Sequence, residues 1–408
     1  MKKFYSLLSI QYFLLLLIFA LVPKSVATIA YTGEIFLFFV VTIFHWKSIK
    51  SLFGSNESGH QTLRYMAVLF GFSLVYLALS FYNLPAFWQI DRLAFNSQFI
   101  PRHYFIIAQF FIGISLGYSL YKSNFIFKVK RFGIVIYIIA LIGITGVDFS
   151  SNSKSYSTMI VMAISFLGVS QKNFLWFLPF IGFLFGGSST YVLAVMIVIC
   201  IMFFRQKISK YLLRKGRQKI QGWMIFTILL ILVMPSLLSE QINADPNAIW
   251  RLVVWKNELH SLAQTYYTGV GFGAAYVSDF ILRETDNIDM YMKSDVGFME
   301  GIFVVANHNS VLNLFYRMGI VGGILFLAIN VFLLDWCIRV NANIPKKYQG
   351  YLWWGIANYA FNFVVILFNP GLEMMQFSVG YQLSLAILFS LLFKMSSYNI
   401  KIKKKNEK

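Results

Sequence analysis

Residues 311–334 read VLNLFYRMGIVGGILFLAINVFLL. The run holds one charged side chain, Arg317, and no proline. As a helix it is long enough to cross the roughly 30 Å hydrocarbon core of a bilayer. Comparable apolar runs recur at about 4–22, 26–46, 63–83, 103–121, 132–148, 156–170, 173–187, 190–205, 222–238, 351–368 and 376–394. With 311–334 they make 12 candidate spans, and the chain reads as an all-α polytopic membrane protein.

Composition agrees. Of 408 residues, 58% are hydrophobic and only 12% are charged. A soluble domain carries about twice that share of charge, so too little polar surface exists to coat a water-soluble globule. A soluble enzyme, a disordered tail and a coiled coil are excluded. The N-terminal Met1-Lys2-Lys3 and the apolar run behind it lack a small-residue cleavage site. They read as a first membrane helix, not a cleaved signal. Two cysteines, Cys200 and Cys337, give no expectation of a disulfide framework.

The net charge of +19 would suggest nucleic acid were it not for its distribution. If the N-terminus is cytoplasmic, 26 of the 35 basic residues fall in cytoplasmic segments, opposed only by Glu57, Asp335 and Glu407. This is the positive-inside pattern. It places both termini inside and sets the basic residues against anionic headgroups. Membrane lipid, not nucleic acid, is the expected partner. The organisation is then nine spans over 1–238, one large periplasmic loop over 239–310, three spans over 311–394 and a basic cytoplasmic tail over 395–408.

The long loop holds nine acids, and among them Arg251, Lys256, Arg283 and Lys293. Loops of this length in compact proteins are usually functional or disordered. Trp250, Trp255, Tyr266, Tyr267, Phe272 and Tyr276 argue for order. Apolar spacing predicts a helix over 248–263, followed by Gly269-Val270-Gly271-Phe272-Gly273 as a flexible turn.

Polar residues near the outer side are the candidates for chemistry. Asn309 or Ser310 can cap the helix that opens at 311. Ser310, Asn313 and Arg317 then share one face. Such a stripe inside a membrane helix normally faces a cavity or a partner, and His308 stands at its mouth. The alternative is an interfacial histidine with an arginine reaching to the surface. Arg251 lies one turn before Trp255, and its planar fork suits phosphate oxygens. The alternative pairs it with Glu258 or Asp245. Arg102-His103, Gly186-Gly187-Ser188-Ser189-Thr190 and Asn369-Pro370-Gly371-Leu372-Glu373 lie at other outer span ends. They read more simply as an anchor, a hairpin turn and an exposed loop. No phosphate-binding loop, dinucleotide fingerprint, zinc-binding HExxH or nucleophile elbow occurs. No acidic pair offers a metal seat, so no metal or cofactor is expected.

Taken in order, Arg251 with Trp255, Gly269 to Gly273, His308-Asn309-Ser310 with Leu312, and Gly319-Ile320-Val321-Gly322 resemble the O-antigen polymerase and O-antigen ligase superfamily of bacterial envelope proteins. The motifs cover about residues 248–323. One departure stands out: where many members carry Ser-Arg-Thr, this chain has Ser188-Ser189-Thr190. A second phosphate-binding arginine would have to come from elsewhere, with Arg317 and Arg102 as candidates.

The resemblance implies a GT-C-like membrane glycosyltransferase that needs no metal. It would act on the periplasmic side of the bacterial inner membrane. The implied substrate is an oligosaccharide on undecaprenyl diphosphate. A polymerase transfers the chain to another lipid-linked repeat unit, and a chain-length regulator is a compatible partner. A ligase transfers it to lipid A–core. The resemblance implies His308 and Arg251 as catalytic groups. Arg317, Asn309, Asn313, Trp255 and Arg102 are the substrate-binding candidates. A lipid-linked oligosaccharide flippase is the reading from another class. The concentration of functional charge on one side disfavours it.

Overall fold

In the computed structural model, the residues described are 3–5, 7, 8, 24–82, 100–124, 189–215, 221, 222, 246–271, 309–368, 372 and 375–406. Among them every regular element is helical. The helices are α1 Lys24–Phe53, α2 Glu57–Tyr82, α3 Ile100–Ser123, α4 Ser189–Lys215, α5 Pro246–Gln264, α6 Ser310–Asn343, α7 Lys346–Phe368 and α8 Met375–Asn406. The expected spans 132–148, 156–170 and 173–187 lie outside the described residues, as do 222–238 beyond its first residue and most of 4–22, so the total of 12 is not tested.

Three described helices contain segments long and apolar enough to cross a membrane: Phe36–Phe53 in α1, Ser310–Asn343 as the whole of α6, and Tyr348–Phe368 in α7. The outer surface agrees with that environment. Phe36, Ile43 and Phe44 of α1 and Phe203 and Phe204 of α4 are all more than half exposed. A soluble fold does not present large aromatic side chains in such rows.

Helices run past the apolar windows because backbone hydrogen bonding continues until a cap or breaker intervenes. Between α1 and α2 the Gly54 amide closes on the Lys50 carbonyl at 2.9 Å. The Asn56 side chain then accepts from the Ser58 amide at 2.9 Å, capping α2. Pro345 separates α6 from α7. There the Gln349 side chain donates to the Asn341 carbonyl at 3.2 Å and to the Ile344 carbonyl at 3.4 Å, serving the end of α6.

Packing fixes the directions of the helices. α3 lies most extensively against α8, and α2 against α6. The α3–α8 seam is tight at Gly117, where an added Cβ would come within 2.8 Å of the Phe389 side chain. Close backbone approach through small residues is the usual basis of helix association in lipid. Phe53, Trp336, Phe389 and Phe393 interlock at one end of the bundle.

That same end carries the polar ties. Asp335 of α6 accepts from Arg339 at 2.9 Å and from the Ser58 hydroxyl of α2. Lys394 of α8 donates to Asn124 at 2.8 Å, and Asn341 donates to Ser209 of α4 at 3.2 Å. All these residues belong to, or adjoin, segments expected on the basic, cytoplasmic side. Gln109, Ser310 and Leu372, all expected on the outer side, meet one another. The two sets therefore lie at opposite ends of the bundle.

Candidate functional site

α6 begins with Asn309. Its backbone is extended (φ −150°, ψ 94°) and its side chain accepts from the Leu312 amide at 2.9 Å, which is N-cap geometry. Ser310, left over as a possible cap, has another task. Its hydroxyl accepts from the Leu372 amide at 3.0 Å, while the Leu372 carbonyl accepts from Gln109 at 3.1 Å. Leu372 is buried, so one residue of the last outer connection ties the start of α6 to α3.

The stripe Ser310, Asn313 and Arg317 is fully buried. Arg317 donates through Nε to Asn313 Oδ1 at 3.3 Å and through Nη1 to the Gly271 carbonyl at 3.2 Å. The stripe does face partners: Ser310 meets Leu372, and Arg317 meets the long loop at Gly271.

The loop meets α6 at a break. Gly319 has φ 68° and ψ −173°, a region essentially reserved for glycine. An unbroken helix would run from the Ile320 amide to the Tyr316 carbonyl. Here Ile320 N–H donates to the Tyr267 carbonyl at 3.1 Å. The Tyr316 carbonyl accepts from Val270 and the Arg317 carbonyl from Gly271, each at 2.9 Å. The two backbones are pressed together at Gly269 and Gly319. A Cβ on Gly269 would lie 2.4 Å from Gly319 N, and one on Gly319 would lie 2.5 Å from the carbonyl oxygens of Thr268 and Tyr267. The Gly269–Gly271 segment expected as a flexible turn is thus a docked segment. It satisfies the backbone groups that the break releases. Phe272 and Gly273 lie outside the described residues.

α5 feeds this segment. The predicted helix 248–263 is observed as Pro246–Gln264, with proline at the first helical position where its missing N–H costs nothing. Val254, Trp255, Asn257, Glu258, Ser261 and Leu262 are buried, the spacing of one helical face, and α5 packs against α6. Arg251 is half-buried, one turn before Trp255 on that face. Trp255 belongs to the apolar core and anchors the helix. Glu258, fully buried, gave the sequence reading no signal beyond a possible partner for Arg251.

α5 ends in a Schellman turn: Tyr267 N–H reaches the Leu262 carbonyl at 2.8 Å and Tyr266 N–H the Ala263 carbonyl at 3.0 Å. The left-handed position of such a turn normally goes to glycine. Here Tyr266 and Tyr267 have φ 50° and 62°, at a cost of roughly 1–2 kcal/mol per residue. The Tyr76 hydroxyl of α2 donates to the Thr268 carbonyl, which fixes the turn from a third side.

His308 lies outside the described residues, next to the cap Asn309. Arg102 falls within α3, and its side chain is outside what is described; so is Glu373. Ser189, where the superfamily's arginine is missing, begins α4.

Comparison with known proteins adds a further observation. The O-antigen ligase family model matches residues 149–327. This supports membership of the O-antigen ligase and polymerase superfamily. The matched stretch contains α5, the docked glycines and α6 through its break, every motif on which the resemblance rested; Arg102 lies outside it. A comparison with the curated proteins finds no match. Members of the family are membrane glycosyltransferase-like enzymes, so the match supports ligase- or polymerase-type activity on lipid-linked oligosaccharides. It lends none to a flippase. Together with the membrane-length helices it points to an inner-membrane protein.

Proposed function

We propose that the chain is a polysaccharide repeat-unit polymerase of the periplasmic face, transferring a glycan from an undecaprenyl diphosphate carrier to another lipid-linked repeat unit without a metal. The observation that carries the reading is the docking of the α5 turn into the break of α6. It joins the Arg251 helix and the segment behind His308 into one unit, within the stretch that matches the family. If α5 runs back along α6 from the docking point, the 13 residues from Gln264 to Arg251 span about 20 Å. The nine from Gly319 to Ser310 span about 14 Å. On that path Arg251 passes the start of α6, the end that His308 precedes in sequence.

The reaction suits such a site. The acceptor hydroxyl attacks the anomeric carbon, a carbon–oxygen bond forms, and the bond to the diphosphate breaks. The proton passes to His308, an imidazole with an ordinary pKa of about 6.5. Negative charge grows on the departing lipid diphosphate, where the Arg251 guanidinium meets it. Fixed charge placed where charge develops is usually the largest catalytic contribution. The donor is already activated, so no nucleotide is required. Arg317 serves by holding the docked turn through Gly271 and Asn313.

The matched model's description as an O-antigen ligase favours one second reading, transfer to lipid A–core, which differs only in the acceptor. The test uses purified protein with lipid-linked repeat units alone and, separately, with lipid-linked repeat units plus lipid A–core. Ladders from the first mixture, unchanged by chelator, support the polymerase. Product only in the second supports the ligase, and no product in either overturns both.

A further inference from the structure

We propose that Tyr266 and Tyr267 form an aromatic platform that stacks on the sugar rings of the substrate glycan. The inference rests on the transferase reading above and adds a site to it. Tyr266 is 89% exposed and Tyr267 54%. Both hold left-handed backbone conformations that glycine would adopt freely. Packing does not explain tyrosine there, because the Tyr266 ring touches almost nothing. Strain that the surroundings over-determine, at a place where it brings no packing, points to function.

The turn is well built for such a task. Tyr266 and Tyr267 are bonded back to α5, the Tyr267 carbonyl is held by Ile320, and the Thr268 carbonyl by Tyr76. Two aromatic rings are thus carried on a fixed backbone, beside the docked glycines. Tyrosine combines an apolar face with a polar tip. That matches a pyranose, whose C–H face is apolar and whose rim is hydroxylated. A membrane-interface anchor is the competing role, but an anchor gains nothing from a left-handed backbone.

The geometry supplies an unusually clean variant. Tyr266→Gly and Tyr267→Gly relieve the backbone while deleting the rings, so loss of folding does not confuse the result. With full-length protein and lipid-linked repeat units, each is expected to raise KM about three- to tenfold, with a smaller change in kcat. Tyr266→Phe should stay nearer the wild-type KM than Tyr266→Leu, which keeps the strain and an apolar side chain. If leucine serves as well as tyrosine, the residue is an interfacial anchor and the platform is wrong. Unchanged KM in both glycine variants also overturns it. Binding of the free oligosaccharide released from the repeat unit, followed by saturation-transfer NMR, separates this proposal from the catalytic one. A wild-type protein that binds the oligosaccharide but makes no product refutes the transferase reading alone. Equal binding by wild type and the double glycine variant, or none by wild type, refutes the platform.

Discussion

Gly319→Ala tests the docking directly. The methyl group would sit 2.5 Å from two carbonyl oxygens of the turn, well inside contact distance, on a backbone conformation closed to alanine. Alanine is also the best helix former, so the break would heal and expel the turn. Three backbone–backbone hydrogen bonds between loop and α6 are lost, those of Val270, Gly271 and Ile320, at a net of about 1 kcal/mol each. Restoring the Ile320-to-Tyr316 bond returns about 1 kcal/mol. The balance of about 2 kcal/mol shifts the docked population by about 30-fold. The assay is limited proteolysis of the 239–310 loop in membranes, read beside polymer ladders. Faster nicking and a ladder reduced at least tenfold are expected, with normal protein level. Gly71→Ala, where an added Cβ meets nothing within 4 Å, is the control and should leave both readouts as in wild type. Unaltered nicking and a full ladder in Gly319→Ala would refute the claim that docking organises the site.

Four further outcomes are expected. Asn309→Ala removes the cap of α6 and should cost about 0.5–2 kcal/mol, measured as a lower thermal midpoint in detergent. Arg251→Lys keeps the charge but not the fork that bridges two phosphate oxygens, so its rate should fall nearly as far as that of Arg251→Ala. His308→Ala should reduce transfer by about 10²–10⁴-fold with insertion unchanged, and a near-normal ladder would remove it from the mechanism. Once Cys200 is replaced, a cysteine at Ser278 should react with an impermeant reagent from the periplasm and one at Ser51 should not; the opposite pattern inverts the topology.

Fold class was legible because membrane proteins write it in simple terms. Apolar length sets helices, and the asymmetry of lysine and arginine sets their direction. Asp335, Lys394 and Asn124 gather at one end of the bundle, and Gln109, Ser310 and Leu372 at the other. Helix ends were less legible. α4 and α8 continue 10 or more residues beyond their apolar runs, because nothing in Lys- and Arg-rich sequence stops a helix from continuing into water.

The site was half legible, and the division has a physical cause. Types and order of residues survive in one dimension: Arg251, the glycines, the cap Asn309 and the stripe to Arg317 could all be picked out. The partner of a backbone group cannot. Gly269-Val270-Gly271 read as flexible because a glycine signals permitted conformations without saying which contact selects one. Gly319 stood out only as part of the Gly319-Ile320-Val321-Gly322 motif, since a glycine in an apolar run looks the same whether it admits a neighbouring helix or breaks its own. Only the meeting of the two shows each to be the reason for the other. The break exposes two carbonyls and an amide that lipid could not satisfy, and the turn, 46 residues earlier at Gly271, supplies the missing partners. Arg317 follows the same logic. An arginine within a membrane helix demanded a partner, and the carbonyl of the docked turn is one that no pattern of side chains could have revealed.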